Sequence, residues 1–348
     1  MLIDTHAHVN FSGFKDDADA VLQRALDMDM IVINVGTQMD TSKEAVEIAQ
    51  KYKEQLTINN PQLTPNVYAV VGLHPVHTYS QELDEEETHF KTRAEYFDTS
   101  MYRSLAQSPL VVGIGECGLD YYRLPIEDLS LKIEDVKQLQ RDAFVAQVRL
   151  AKGLDKALVI HCRPSTGSMD AYEDILKILD EEFLTDRYHT TPSRQVGTPL
   201  LSQEGNTPQN SFVAPHAIGA KLRSSPPNIG GVPHEVRGGG MMRFEIHSFT
   251  GTPDIVQEFL KRGAYVGVNG IITFDKTGNM EQVVKAVPLD RIILETDCPY
   301  LTPAPNRGKK NEPSFVKFVA EKVAQIKELT VEQVAASTSS NAKKLFNI

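Results

Sequence analysis

Residues Met1–Val9 read MLIDTHAHV. A short apolar run, Leu2–Thr5, delivers two histidines, His6 and His8, at i and i+2. On or just past an extended strand such a pair points to one side and can chelate one metal ion. Alone the pair decides little, since ten histidines in 348 residues give roughly 0.3 such pairs by chance. Its weight comes from repetition: apolar runs closing on a histidine or a carboxylate recur along the chain.

Short β-rich runs predict strands at Leu2–Thr5, Ile31–Val35, Val67–Val71, Val111–Gly115, Ala157–Ile160, Met242–Ile246, Ala264–Val268 and Arg291–Glu295. Segments of helical period fall between them, among them Asp16–Met28, Thr41–Gln55, Glu134–Lys152, Ala171–Phe183 and Pro253–Arg262. Near-continuous apolar strands alternating with helices imply a parallel α/β sheet covered on both faces. Eight such units predict a closed (β/α)8 barrel, the TIM-barrel fold, as one domain over residues 1–348. No Gly-rich nucleotide fingerprint follows the first strand, which argues against an open doubly wound sheet.

One segment breaks the rhythm. Thr185–Arg243 holds seven prolines and eight glycines in 59 residues and shows no sustained period. It reads as a long flexible insertion before the sixth strand, a loop of the barrel rather than a linker. It carries six basic and three acidic residues, a charge of 6 − 3 = +3. An inert elaboration is the plainer reading, and a mobile basic flap the sharper one. The acidic run Glu82–Glu87 (ELDEEE) is expected to be a solvated helix start.

Composition narrows the class. Apolar residues make up 41% and charged residues 24%, ordinary for a soluble protein. No secretory n- and h-region opens the chain, and no apolar run spans a bilayer. The expectation is a cytoplasmic protein, a nuclear location being compatible, with no membrane and no protein partner implied. The net charge of −10 argues against broad nonspecific wrapping of nucleic acid, though not against a nuclease with local cations. Cys117, Cys162 and Cys298 are too few for a disulfide framework. Each follows an expected metal ligand, so each should point away from the site as a small buried hydrophobe.

The other strand ends supply the chemistry. GIGECGLDYY offers Glu116, LVIHCR offers His161 and Arg163, and FEIHSF offers His247. IILETDCPY offers Asp297 and VVGLHP offers His74. In a βα barrel the C-terminal strand ends form one face, so residues far apart in sequence converge there. Four imidazoles and two carboxylates are too many for one tetrahedral zinc and suit two divalent ions. His6 and His8 are expected to hold the first ion, His161 and His247 the second, with Glu116 bridging. Asp297 would contact the first ion and act as general base on the attacking water.

These residues sit in motifs that resemble the TatD family of metal-dependent deoxyribonucleases, within the amidohydrolase-like barrels. The stretches are IDTHAHVN, GLHPVH, GIGECGLDYY, VIHCR, HSFTG, ETDCPYLTPAPNRGKKNEP and the C-terminal SNAKKLFNI. The resemblance covers the chain except Thr185–Arg243 and part of Gln81–Ser108. It implies the metal roles given above for His6, His8, Glu116, His161, His247 and Asp297. It also implies hydrolysis of DNA, usually as a 3′-to-5′ exonuclease. Two departures stand out: Cys298 replaces the usual serine or alanine, and the insertion leaves substrate access open.

For the phosphate, Arg163 lies two residues past His161 and can grip an oxygen bidentately. His74 closes the third strand, and Arg307, Lys309 and Lys310 follow the Asp297 strand in a Pro-rich loop. His77, His89, His189, His216 and His234 are read as structural or surface residues. The leading expectation is phosphodiester cleavage in DNA by two divalent ions (zinc, magnesium or manganese). The alternative is an acyl hydrolase, an amidohydrolase or aminoacyl-tRNA deacylase, on the same centre. A carboxylated lysine bridges many amidohydrolases, whereas Glu116 holds that place here.

Overall fold

The structure, a computed structural model, describes residues 1–58, 63–79, 82–85, 88–91, 93–122, 124, 132–188 and 242–348. For 82–85, 88–91 and 183–188 it describes backbone alone. Eight strands form one sheet in chain order: β1 Leu2–Ala7, β2 Met30–Val35, β3 Val67–Val71, β4 Val111–Asp120, β5 Ala157–Arg163, β6 Phe244–Ile246, β7 Tyr265–Val268 and β8 Ile292–Leu294. Every neighbouring pair is parallel. The ends meet: Ala7 bridges Cys298 in parallel, Asp297 N–H donates to the His6 carbonyl at 2.8 Å, and His8 N–H donates to that of Cys298 at 2.9 Å. The result is the expected (β/α)8 barrel.

Eight parallel strands bury both faces, which is why Met30–Val35, Asn34 apart, and Val67–Val71 are apolar without alternation and wholly buried. Helices α1 Ala18–Leu26, α2 Met39–Thr57, α3 Thr99–Ala106, α4 Ile133–Leu154, α5 Asp170–Tyr188, α6 Pro253–Lys261, α7 Asn279–Ala286, α8 Val316–Lys327 and α9 Val331–Phe346 follow the strands. Local signals set their ends. Thr252 accepts from Ile255 N–H with Pro253 at the first helical position, and Thr330 and Gln333 form a capping box. No described helix is long and apolar enough to cross a membrane.

Three expectations are corrected. The ELDEEE run does not start a helix: Glu82–Glu85 pairs antiparallel with Thr88–Lys91. That register sets Leu83 opposite Phe90 and Glu82 opposite Lys91, cross-strand pairings that a reading of local acidity does not weigh. Helix α5 runs to Tyr188, past the expected end at Phe183 and into the expected insertion. The rest of that insertion, apart from residues 242–243, lies outside the described residues. By contacts the barrel unit is residues 1–184 and 241–348.

The third correction bears on the site. Glu116 does not stand at a strand end but inside β4, which continues to Asp120. The register of β4 against β5 shifts between Ile114 and Cys117, and pairing resumes from Cys117 opposite Ile160 to Asp120 opposite Arg163. Gly115 (φ +147°) and Gly118 (φ +142°) make the irregularity. A Cβ on Gly115 would meet the Val159 carbonyl at 2.6 Å, and one on Gly118 that of His161 at 2.0 Å. The glycines of GECG thus let β4 lie against β5 around Glu116.

Candidate metal centre

Each expected ligand is set by a strand or its exit. His6 lies in β1 and His8 just beyond it, His161 lies in β5, and His247 follows β6 directly. Asp297 follows β8 in a left-handed conformation (φ +59°), uncommon for a residue with a Cβ. All of them reach Glu116 or its neighbours. Glu116 Oε2 lies 3.4 Å from His6 Nε2 and 3.8 Å from His8 Nε2. Its Oε1 lies 3.0 Å from His161 Nδ1, 3.4 Å from His74 Nε2 and 3.8 Å from His247 Nε2. Asp297 Oδ1 is 3.3 Å from His8 Nε2 and 3.6 Å from His247 Nε2. His6 stacks on His247 with ring centres 3.4 Å apart.

The far nitrogen of each ring decides what the near one offers. His8 Nδ1 donates to the Val35 carbonyl at 2.9 Å, leaving the Nε2 lone pair toward Glu116 and Asp297. His247 Nδ1 faces Glu295 Oε2 at 3.0 Å, and His161 Nε2 faces Asp120 Oδ2 at 2.9 Å. A carboxylate behind an imidazole fixes its tautomer and raises its basicity as a ligand. His74 differs. Its Nδ1 accepts from Val76 N–H at 3.3 Å, so its neutral form carries the proton on Nε2 and presents a donor to the site.

Electrostatics divide the rings. Burial, reinforced by His247, drives His6 down to about 3, a neutral ring, and burial likewise lowers His74. Burial also opposes charge on His161, but its bonds to Asp120 and Glu116 outweigh that and raise it to about 9. For His247 the fields of Glu295, Asp297 and Glu116 overcome burial and raise it to about 10. Glu116 is held well below the usual carboxylate range, because the surrounding histidines overcome its burial. Burial pushes all three cysteine thiols well up, consistent with inert buried residues.

The donor set fits metal ions. His6, His8 and Glu116 offer ligand atoms within 4.8 Å of one another, as do His74, Glu116 and His161, and His6, His247 and Glu295. Neither nitrogen of the wholly buried His6 ring makes a hydrogen bond within the described structure. A buried imidazole whose nitrogens make no hydrogen bond is costly and is relieved when a lone pair meets a cation.

Of the residues expected to touch substrate, Arg163 lies at the end of β5, its guanidinium 4.0 Å over the Tyr122 ring. Arg307 is exposed, lies 4.0 Å over Phe274 and donates to the Thr302 carbonyl. Lys310 instead pairs with Asp17 at 2.7 Å and with the Gly13 carbonyl at 2.9 Å, tying the loop down.

Sequence reading missed a set of acids. Asp4, Glu245 and Glu295 each stand two residues before a proposed ligand, and all are wholly buried. Asp4 accepts from Thr296 N–H and Oγ–H, and burial raises it to about 8. Both Glu245 oxygens lack a hydrogen bond within the described structure, and burial pushes this acid well up, keeping it neutral. Asp120, in the GECGLDYY motif, was also passed over. An acid two residues before His6, His247 and Asp297 was the available signal for the first three, since i and i−2 share a strand face.

A parallel barrel whose mouth gathers five imidazoles around one carboxylate defines the class: a metal-dependent hydrolase on a TIM barrel. The chain belongs to the TatD related DNase family, whose model matches residues 3–347. It is 32% identical to the metal-dependent hydrolase YabD of Bacillus subtilis over 100% of both chains. It is 26% identical to the 3′-5′ ssDNA/RNA exonuclease TatD of Citrobacter rodentium, over 100% of this chain and 98% of that one. Among solved structures it is similar to YJJV, a TatD homolog from Escherichia coli K12 (TM-score 0.65, 19% identity, 100% and 98% coverage).

Proposed function

We propose that this chain hydrolyses phosphodiester bonds in DNA, as a 3′-to-5′ exodeoxyribonuclease using two divalent ions. What carries the reading is the division of Glu116: Oε2 toward His6 and His8, Oε1 toward His161 and His247. On this reading His6, His8 and Asp297 would hold one ion, His161 and His247 would hold the other, and Glu116 would be shared between them. Zinc, magnesium and manganese are the candidate ions. Bound there, such ions acidify a water and neutralise charge on a phosphate. The name of the Citrobacter relative supports the direction of cleavage.

The chain's own groups do the rest. Asp297, held below the usual carboxylate range by His247 and His8 despite burial, is ionised and accepts the water's proton. His74 donates through Nε2–H to a phosphate oxygen, and Arg163 supplies a fixed cation beside it. Arg307 binds the substrate farther out. DNA is the partner, and the cytoplasm the proposed location.

The test incubates pure protein with end-labelled single- and double-stranded DNA, with each ion and with chelator. Ion-dependent, stepwise shortening from the 3′ end is expected. DNA left intact, with ion-dependent cleavage of an aminoacyl ester, would instead favour the acyl-hydrolase alternative.

A further inference from the structure

Strand β8 ends at Leu294, and Asp297 follows it in the left-handed region at φ +59°. A residue with a Cβ keeps that conformation only where its surroundings over-determine it. Here the neighbouring residue, Thr296, is held at every polar atom. Its N–H donates to Asp4 Oδ1 at 2.9 Å and its hydroxyl to Asp4 Oδ2 at 2.7 Å. The same hydroxyl accepts from Cys298 N–H at 3.3 Å, and the Thr296 carbonyl accepts from Asn311 Nδ2 at 2.9 Å. Asp4, Thr296 and Asn311 are all wholly buried. We propose that these three residues form a clamp that aims the Asp297 carboxylate, with Thr296 as the positioning residue. This rests on the reading of Asp297 as general base and ion ligand.

The clamp joins parts far apart in sequence. Asp4 lies in β1, and its Oδ1 also accepts from His6 N–H at 3.3 Å. One carboxylate thus holds the backbone of a histidine ligand and of the turn that carries the base. Asn311 closes that turn from the other side. Its Nδ2 also donates to the Tyr300 carbonyl at 2.6 Å, and its N–H to the Pro299 carbonyl at 3.1 Å. Thr296 and Cys298 flank Asp297 and are bonded to each other across it, so turning Asp297 about its backbone breaks buried hydrogen bonds. A buried donor or acceptor left unpaired is costly, and that cost is the restoring force. The resulting aim sets Asp297 Oδ1 3.3 Å from His8 Nε2 and 3.6 Å from His247 Nε2.

A base works only within hydrogen-bond reach of the proton it takes. Freed from the clamp, Asp297 keeps its carboxylate but leaves the productive direction. The loss then falls on kcat and on the ion that Asp297 holds. KM should change little, because three buried residues offer the substrate nothing to bind.

The test compares Thr296→Val, which keeps the volume and removes the hydroxyl, with Thr296→Ser, which keeps the hydroxyl. In the valine variant kcat on DNA is expected to fall about tenfold or more while KM stays within about twofold. Titration of the ion-free protein against a competing chelator is expected to show one ion bound about tenfold more weakly. Serine is expected to bring both readouts back to within a few-fold of wild type. Asn311→Ala, which frees the Thr296 carbonyl, is expected to move both in the same direction as valine, and decides the matter if the valine variant does not fold. Wild-type kcat and ion affinity in the folded variant overturn the clamp and leave the phosphodiesterase reading intact. So does a serine variant as impaired as the valine one. If wild type releases no nucleotide from DNA with any ion, the phosphodiesterase reading falls, and the chelator titration still decides the clamp.

Discussion

Glu295 accepts from His247 Nδ1 at 3.0 Å and from Ser248 N–H at 2.6 Å, wholly buried below the mouth. Room for it comes from Gly267, where a Cβ would sit 2.3 Å from Glu295 Oε2. Glu295→Ala is expected to weaken ion binding about 10- to 100-fold, because His247 loses the group that fixes its tautomer. Glu295→Gln, which keeps an acceptor oxygen, should lose less. Titration against a competing chelator checks both, and wild-type affinity in the alanine variant would remove Glu295 from this role.

Glu116→Ala removes the carboxylate that faces both histidine groups. One ion per chain is expected to be lost, and turnover to fall at least ~100-fold. The fold should persist, since burial of Glu116 opposes its charge and the apolar barrel core does not depend on it. Elemental analysis that still finds two ions in the variant would sink the bridging role.

Binding and chemistry should separate at two residues of the barrel mouth. Arg163→Ala is expected to raise KM and leave ion content unchanged, because Arg163 stands outside the histidine cluster. Asp297→Asn is expected to depress kcat even at saturating DNA, since an amide is a poor base. A kcat within a few-fold of wild type would end the general-base assignment.

Loading should release protons. In the ion-free protein His161 is held charged up to about 9 and His247 up to about 10, both above the ordinary 6.5. Their contribution to stability is therefore full below pH 6.5 and lost as pH rises through 9 to 10. An incoming cation needs lone pairs, so ion affinity should climb with pH, with about two protons released per chain near pH 7. Calorimetry in buffers of different ionisation enthalpy counts them. Identical heats in all buffers would contradict the charged state of these rings.

The sequence by itself determined the barrel and the ligand candidates. Strand identity follows from buried apolar runs such as Met30–Val35, a local property, and a shared C-terminal face then follows from parallel connection. His6, His8, His74, Glu116, His161, His247 and Asp297 were legible because polar residues closing apolar runs are poor packing choices. Only the tertiary structure decided which nitrogen of each ring faces inward. That depends on partners distant in sequence, such as Val35 for His8, Glu295 for His247 and Asp120 for His161. It also decided that Glu116 lies within β4, because a register shift exists only between two strands. The antiparallel pairing of Glu82–Glu85 with Thr88–Lys91 was hidden for the same reason. Pairing energy belongs to the partner, and a single stretch of sequence carries only half of it.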